Sequence, residues 1–314
     1  MSQLQTVDLV GVGLNATDTL IPVARFPERG SKIEFSGAIV LQGGQAASTV
    51  VACQQWGLST RYVGKLGDDD AGRLHKAAFE RAGVDARLIT VAGGASPQSL
   101  ILVDGGGERT VLCQRDERLV LQPEDIEREW IVAARALHVD GRDTAACTQA
   151  ARWAREAGMP VIADLDEAYP AVEELIRNTD SLIVSRDFPG KLTGEPNLEK
   201  ALRGMRARYG CRLTAATLGQ DGVVAWDGER LCHRAAYRVD VVDTTGAGDV
   251  FHAGFIYGLL QGWGLERQLD FACAAAALNC AAVGARGGIR SVAEIEALMV
   301  AAPRYDTDFM NVAG

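Results

Sequence analysis

Asp243-Thr244-Thr245-Gly246-Ala247-Gly248-Asp249, followed without a break by the apolar stretch Val250 to Leu260, is the run on which the reading of this chain turns. At a helix N-terminus about four N–H groups lack intrahelical partners, and the aligned peptide dipoles add roughly half a positive charge. An anionic group such as phosphate fits there. Gly246, Ala247 and Gly248 carry little or no side chain, so backbone can approach such a group closely. Asp249 faces the same point, where a carboxylate can take the proton of an attacking hydroxyl while the amides stabilise charge on phosphoryl oxygens. The same residues also suit a plain turn or an N-cap, so the context decides. Val250, Phe251, Ala253, Gly254, Phe255, Ile256, Leu259 and Leu260 put apolar groups all round the helix and predict that it is buried. A buried helix whose polar start opens onto a cavity is best explained by a ligand.

Outward from that run, short apolar stretches recur with helical stretches between them. Val7 to Val12, Arg61 to Gly64, Ala136 to Val139, Val161 to Asp164, Ser181 to Val184 and Leu213 to Thr217 read as strands. Ala46 to Trp56, Asp70 to Ala82, Thr144 to Ala157 and Leu198 to Tyr209 have helical period and length. The alternation predicts an α/β fold, a mostly parallel central sheet covered by helices on both faces. Two regions depart from it. Leu20 to Val40 contains Pro22, Pro27 and Gly30 and then alternates; Gln98 to Asp104 and Arg109 to Cys113 flank Gly105-Gly106-Gly107 like a hairpin. Together they predict a small β lid over a cleft, drawn from about residues 18–40 and 96–115 of a single domain spanning 1–314. Pro303 to Gly314 reads as a polar tail.

Composition narrows the function classes. The chain has 314 residues, enough for a large core, and no apolar run long enough to cross a bilayer, so no membrane role is expected. Its net charge of −9, with no basic stripe, argues against nucleic acid as a partner. Met1 to Thr6 offer no basic region ahead of Val7 to Gly13, so no secretory signal is expected and the cytoplasm is the expected compartment. The seven cysteines are scattered without a Cys-x-x-Cys pair, and the four histidines have no metal-ligand spacing. His252 reads as a satisfied wall residue of the buried helix.

Three further stretches carry chemistry. Gly43-Gly44-Gln45-Ala46-Ala47-Ser48 opens a helix; the glycines let a ligand meet backbone, and Gln45 and Ser48 suit hydroxyl groups, although a capped helix start explains the same residues. Gly11-Val12-Gly13-Leu14-Asn15-Ala16 imitates a dinucleotide fingerprint with Glu34 downstream, but Thr17 to Pro27 is too rich in proline and β-branched residues to open the required helix. That argues against a nicotinamide-dependent dehydrogenase and leaves Asn15 and Asp18 as polar groups at the carboxyl end of the first strand, for ligand or for turn. Thr217-Leu218-Gly219-Gln220-Asp221-Gly222 joins two strands as a turn and can also serve as a backbone shelf for a nucleotide; the Ala-rich helix Phe271 to Ala282, with Cys273 and Asn279, can form a wall of that pocket.

Asp243 to Asp249 with Phe251, Gly43-Gly44 with its helix, and Gly64-Lys65-Leu66-Gly67-Asp68-Asp69-Asp70-Ala71-Gly72 resemble the motifs of the ribokinase-like sugar kinases, also named after phosphofructokinase B, over nearly the whole chain. The resemblance implies ATP-dependent, Mg²⁺-assisted phosphorylation of a sugar hydroxyl, with Asp249 as base and Gly246, Ala247, Gly248 and Asp249 as anion hole. It implies Asp18, Gly43, Gly44, Gln45 and Ser48 around the sugar, Arg109 toward the substrate, and Thr217, Gly219, Gly222 and Cys273 along the nucleotide; Asn15, by its place, and Arg142, by its charge, are further expected substrate contacts. Asp243 and Thr245 stand where some relatives hold a monovalent cation such as K⁺, and the lid often joins two subunits as a homodimer. Val241 to His252, Ser96-Pro97-Gln98-Ser99 and Gly107-Glu108-Arg109-Thr110 are most similar to the ketohexokinase and sulfofructose kinase branches. A ketose or a modified, anionic ketose is the expected acceptor, with Arg109, Arg142 and Lys32 supplying positive charge. Ser48 replaces an asparagine common in the family, and Ser185-Arg186-Asp187-Phe188 replaces its Asn-x-x-Glu pair. The second change leaves metal placement open and keeps a non-catalytic sugar or nucleotide sensor as the alternative.

Overall fold

Runs of valine, leucine, isoleucine and alanine without polar alternation suit strands buried on both faces. The computed structural model describes residues 4–105 and 109–307, and those runs are its central strands. In chain order the strands are β1 (Val7–Val12), β2 (Ala16–Pro22), β3 (Ile39–Gly43), β4 (Thr60–Gly67), β5 (Asp85–Val91), β6 (Gln98–Val103), β7 (Arg109–Gln114), β8 (Ala134–Val139), β9 (Val161–Leu165), β10 (Ser181–Ser185), β11 (Leu213–Thr217), β12 (Val223–Trp226) and β13 (Leu231–Arg234). The helices are α1 (Gln45–Gln55), α2 (Asp70–Ala82), α3 (Arg128–Val132), α4 (Thr144–Glu156), α5 (Val172–Arg177), α6 (Phe188–Thr193), α7 (Leu198–Tyr209), α8 (Ala247–Leu260), α9 (Leu265–Cys280) and α10 (Val292–Ala301).

Among the described residues, a nine-stranded sheet runs in the order β13-β12-β11-β10-β9-β8-β1-β4-β5. The strands from β11 to β5 are parallel, and β12 and β13 close one edge antiparallel. Neighbouring residues on one strand serve opposite cores. Leu9, Ala136, Ile162, Ile183 and Ala215 pack with α1, α8 and α9, while Val10, Leu137, Val161, Leu182 and Ala216 pack with α4, α5 and α7. Each fully buried Leu or Ile contributes about 1.5–3 kcal/mol, so both helical layers are held by the same strands. The chain leaves β1 toward β4 and β5, then returns to β8 on the other side; this reversal opens a crevice at the carboxyl ends of β1 and β8.

The second sheet, ordered β3-β2-β6-β7, comes from the two regions that break the alternation. It is mixed: β2 pairs parallel with β6, whereas β2–β3 and β6–β7 are antiparallel. Gly106 and Gly107 of the expected hairpin turn lie outside the described residues. Two expectations change. The helix read as Phe271 to Ala282 begins at Leu265 and ends at Cys280, and Leu265 and Leu269, ahead of Phe271, already pack into the core. Pro303 is not the start of a loose tail: Arg304 bonds Asp270 and the Ala235 carbonyl, and Arg238 donates to Pro303 O. No helix among the described residues is long and apolar enough to cross a membrane.

Candidate active site

The start of α8 is built around one glycine. Gly246 caps the helix at φ 73°, and a Cβ there would sit 2.3 Å from Ala285 O, so neither the conformation nor the space admits a side chain. Ala247 N–H returns to Thr244 O, but the N–H groups of Gly248 and Asp249 find no acceptor among the described residues. Two clamps hold the flanking loops. The Asp243 carboxylate accepts from the Thr245 N–H and hydroxyl and, at 2.8 Å, from Gly284 N–H. Asn279 of α9 donates to Thr245 O and Ala285 O and accepts from Gly288 N–H. Asp243 and Thr245 thus tie the loop before α8 to the one after α9.

Asp249 is buried, and the Thr49 hydroxyl donates to its backbone carbonyl at 3.0 Å. Burial pushes its carboxyl up to about 7, the Asp164 carboxylate adding to the rise, while His252 and Arg286 pull it down. A carboxylate poised there exchanges protons near neutrality, as a general base requires. His252 is a wall residue with its ring nitrogens 2.8 Å from Gly248 O and 3.3 Å from Ile183 O, and burial lowers its basicity. Asp164 lies 3.4 Å from its Nδ1. Burial drives Asp164 well above the usual carboxylate range, and the Gln45 amide beside it opposes that rise.

The other wall comes from β1, β2 and α1. Gly44 has φ 94° and a Cβ would strike Asn15 Cα at 2.4 Å; a Cβ on Gly43 would strike the Asp18 carboxylate at 2.2 Å. Both glycines let α1 start against these polar side chains. Asp18 is buried, which raises its pKa, with Ser99 and Arg286 opposing. Asn15 donates to the Tyr62 hydroxyl at 2.6 Å, which donates in turn to Gly13 O, and the Asn15 Oδ1 is buried without a partner. Ser48 is fully buried and accepts from Arg286 Nε at 3.1 Å. Beneath the wall, the fully buried Asp140 accepts from the N–H groups of Leu14, Ala46 and Arg142, which joins β1, α1 and β8 at the switch point. Its carboxyl is pushed up to about 6 by burial.

On the far side of the α8 N-terminus, Thr217, Gly219, Gly222 and Cys273 line one cleft of about 520 Å³ together with Ala247 and Gly248. Tyr305, from the segment read as tail, lines it too. Arg186 bonds Asp221 and Leu218 O and so fastens the Gly219–Asp221 turn. Arg142 lines a second cavity of about 490 Å³ with Asn15, Lys65 and Arg115, its guanidinium 3.4 Å from the Tyr169 hydroxyl. Arg109 opens β7 opposite Val103, and its side chain lies outside the described residues. Asp140, Asp164 and Arg286 are the site residues that sequence reading missed. The glycines around Arg286, in Gly284-Ala285-Arg286-Gly287-Gly288, are the one signal that pointed to it.

A parallel sheet with a glycine-capped helix and a buried carboxylate at its switch point defines an α/β protein able to receive an anionic ligand. Its relatives say more. Residues 11–291 match the model of the pfkB family of carbohydrate kinases, and the chain belongs to that family. It is 31% identical to an ATP-dependent ribose-1-phosphate kinase of Halopiger xanaduensis, over 86% of this chain and 90% of that one. It is 25% identical to mouse ketohexokinase, over 90% of this chain and 99% of that one. Among solved structures, Arabidopsis thaliana ribokinase complexed with ribose and ATP superposes with a TM-score of 0.82 at 25% identity, over 94% of this chain and 99% of that one. The protein is a carbohydrate kinase.

Proposed function

We propose that this kinase transfers the γ-phosphate of ATP to a hydroxyl of a ketose or modified ketose, with Asp249 as the base. One observation carries the reading: a buried carboxyl pushed up to about 7 stands beside two N–H groups without acceptors, between the cleft of Thr217 and Cys273 and the wall of Asp18 and Gly43. The sugar oxygen bonds to the γ-phosphorus as the bond from that phosphorus to the β–γ bridging oxygen breaks. The hydroxyl proton passes to Asp249, and ADP leaves with the electron pair. The Gly248 and Asp249 N–H groups stabilise the oxygens of the moving group. No cluster of three or more His, Cys, Asp or Glu side chains suited to a metal ion occurs among the described residues. Mg²⁺ takes few protein ligands and would come with the phosphates, whose charge it would neutralise. Asp164 beside Asp249, and Asp166 beside Asp164, are the carboxylates that can meet it.

The acceptor reading rests on the ketohexokinase-like motifs, while the relative from Halopiger carries ribose 1-phosphate in its name. Fructose, other ketoses, ribose and ribose 1-phosphate therefore belong in one screen for ATP-dependent ADP release. A ketose is expected to lead, and Asp249→Asn is expected to lower turnover about 1000-fold. Full activity in that variant would remove Asp249 from the chemistry. The reading extends to a homodimer through the small sheet. Val40, Thr19, Leu100 and Leu112 form one row across its outer face, and Val40, Leu100 and Leu112 are 54%, 43% and 55% exposed. Leu112→Glu is expected to convert a dimer into a monomer in sedimentation; a monomeric parent protein would refute the pairing.

A further inference from the structure

Two arginines enter the molecule and are used differently. Arg61 is fully buried with its fork spent: Nε donates to Asp85 at 2.7 Å, Nη1 to the Trp130 and Ala133 carbonyls, and Nη2 to Gln5 O. Its charge is matched, and it holds β4 to its neighbours. Arg286, between α9 and α10, donates Nε to Ser48 Oγ at 3.1 Å and Nη2 to Gly43 O at 2.9 Å, both neutral acceptors. No carboxylate among the described residues forms a direct ion pair with it, although Asp249 and Asp18 are the acids that act on it. Burial lowers its pKa only to about 10, so it stays charged at neutral pH. A guanidinium has five N–H donors, and here most are unspent. The side chain is half-buried, so those donors stay open to an anionic ligand.

We propose that Arg286 is a further catalytic residue, whose unspent donors contact an oxygen of the phosphoryl group in transit and whose charge keeps Asp249 ionised. This rests on the reading of Asp249 as base. Gly43 and Ser48 hold the fork from the acceptor wall, where its charge acts on both Asp249 and Asp18. The groups that act on Asp249 are Asp164 from β9, Asp140 just after β8, His252 from α8 and Arg286. The two acids raise its pKa, and His252 and Arg286 lower it.

The test compares parent protein, Arg286→Gln and Arg286→Lys across pH, with ATP and fructose, ribose or ribose 1-phosphate, whichever the parent phosphorylates. Arg286→Gln is expected to lower kcat about 100-fold, with KM for ATP within about threefold. Its acid limb is expected to move up by about one pH unit, because a carboxylate without its cation holds its proton longer. Arg286→Lys keeps the charge and is expected to hold the acid limb of the parent protein while losing about tenfold in kcat. Full kcat in Arg286→Gln, or a loss with an unmoved acid limb, would overturn the proposal, the second result meaning a structural role alone. If Arg286→Gln does not fold, parental kcat in Arg286→Lys overturns the contact. A parent protein that phosphorylates none of these sugars defeats the reading beneath the proposal and the proposal with it.

Discussion

The two walls of the cleft are made of different material. On the side proposed for the nucleotide the surface is glycine backbone and uncharged side chains: Gly219, Gly222 and Gly248 beside Ala247, Cys273, Phe251 and Tyr305. On the side proposed for the acceptor it is polar and charged side chains from separate segments: Asn15 and Asp18 from β1 to β2, Asp140 after β8, and Arg286 after α9. Backbone N–H groups do not change with sequence, so a wall proposed to meet the invariant phosphate can be backbone. An acceptor differs from one kinase to the next, and side chains are what can differ with it.

Apart from loss of the Asp249 carboxylate, the largest expected effect comes from putting a side chain into the backbone wall. Gly246→Ala forces a Cβ onto φ 73° and against Ala285 O, so the α8 start must shift; kcat is expected to fall about 100-fold in steady-state assays. A variant with parental kcat would mean that the placement of those N–H groups is not critical. A smaller effect should come from the other wall. Asn15→Ala removes a buried amide with an unpartnered Oδ1, and KM for the sugar is expected to rise about tenfold while KM for ATP stays level. Equal changes in both constants would abolish the division between walls.

The smallest effect tests what the buried charge costs. The Asp249 carboxyl lies at about 7 in the folded protein against an ordinary 3.8, so the folded state holds its proton over that interval and stability falls as pH rises through it. The penalty is absent below 3.8 and complete above about 7. Asp249→Asn is therefore expected to melt a few °C above the parent protein at about pH 8 and level with it at about pH 4, by differential scanning calorimetry. No gain at the higher pH would show that neighbouring groups already offset the charge.

Much of the fold was legible because buried parallel strands announce themselves. Leu213–Thr217 and the helices Asp70–Ala82 and Leu198–Tyr209 stand where their apolar spacing predicts. β5 and β13 were not read: at the sheet edges they alternate or run short, and Asp85-Ala86-Arg87 looks like loop. The α10 helix was missed although Ser291 and Glu294 form a capping box ahead of it. In the site, the Gly246 to Asp249 run and the Gly43-Gly44 turn were legible, since local backbone geometry dictates glycine. Arg286 and Asp140 were not, because an isolated arginine or aspartate carries no periodicity, and Ser48 was legible only as a hydroxyl, its partner being 238 positions away.

Local chemistry in the chain settles where strands and helices form, where a helix must begin on a glycine, and therefore where phosphate can be met. Folding alone settles which distant side chains share that place. Asp164 reaches Asp249 only because β9 lies beside β8 and α8 packs over it, and Arg286 reaches Gly43 only because the loop after α9 closes over the start of α1. Propensity and capping act over a few residues, whereas burial and charge act through space, so the reaction class is written locally and the acceptor wall is assembled by packing.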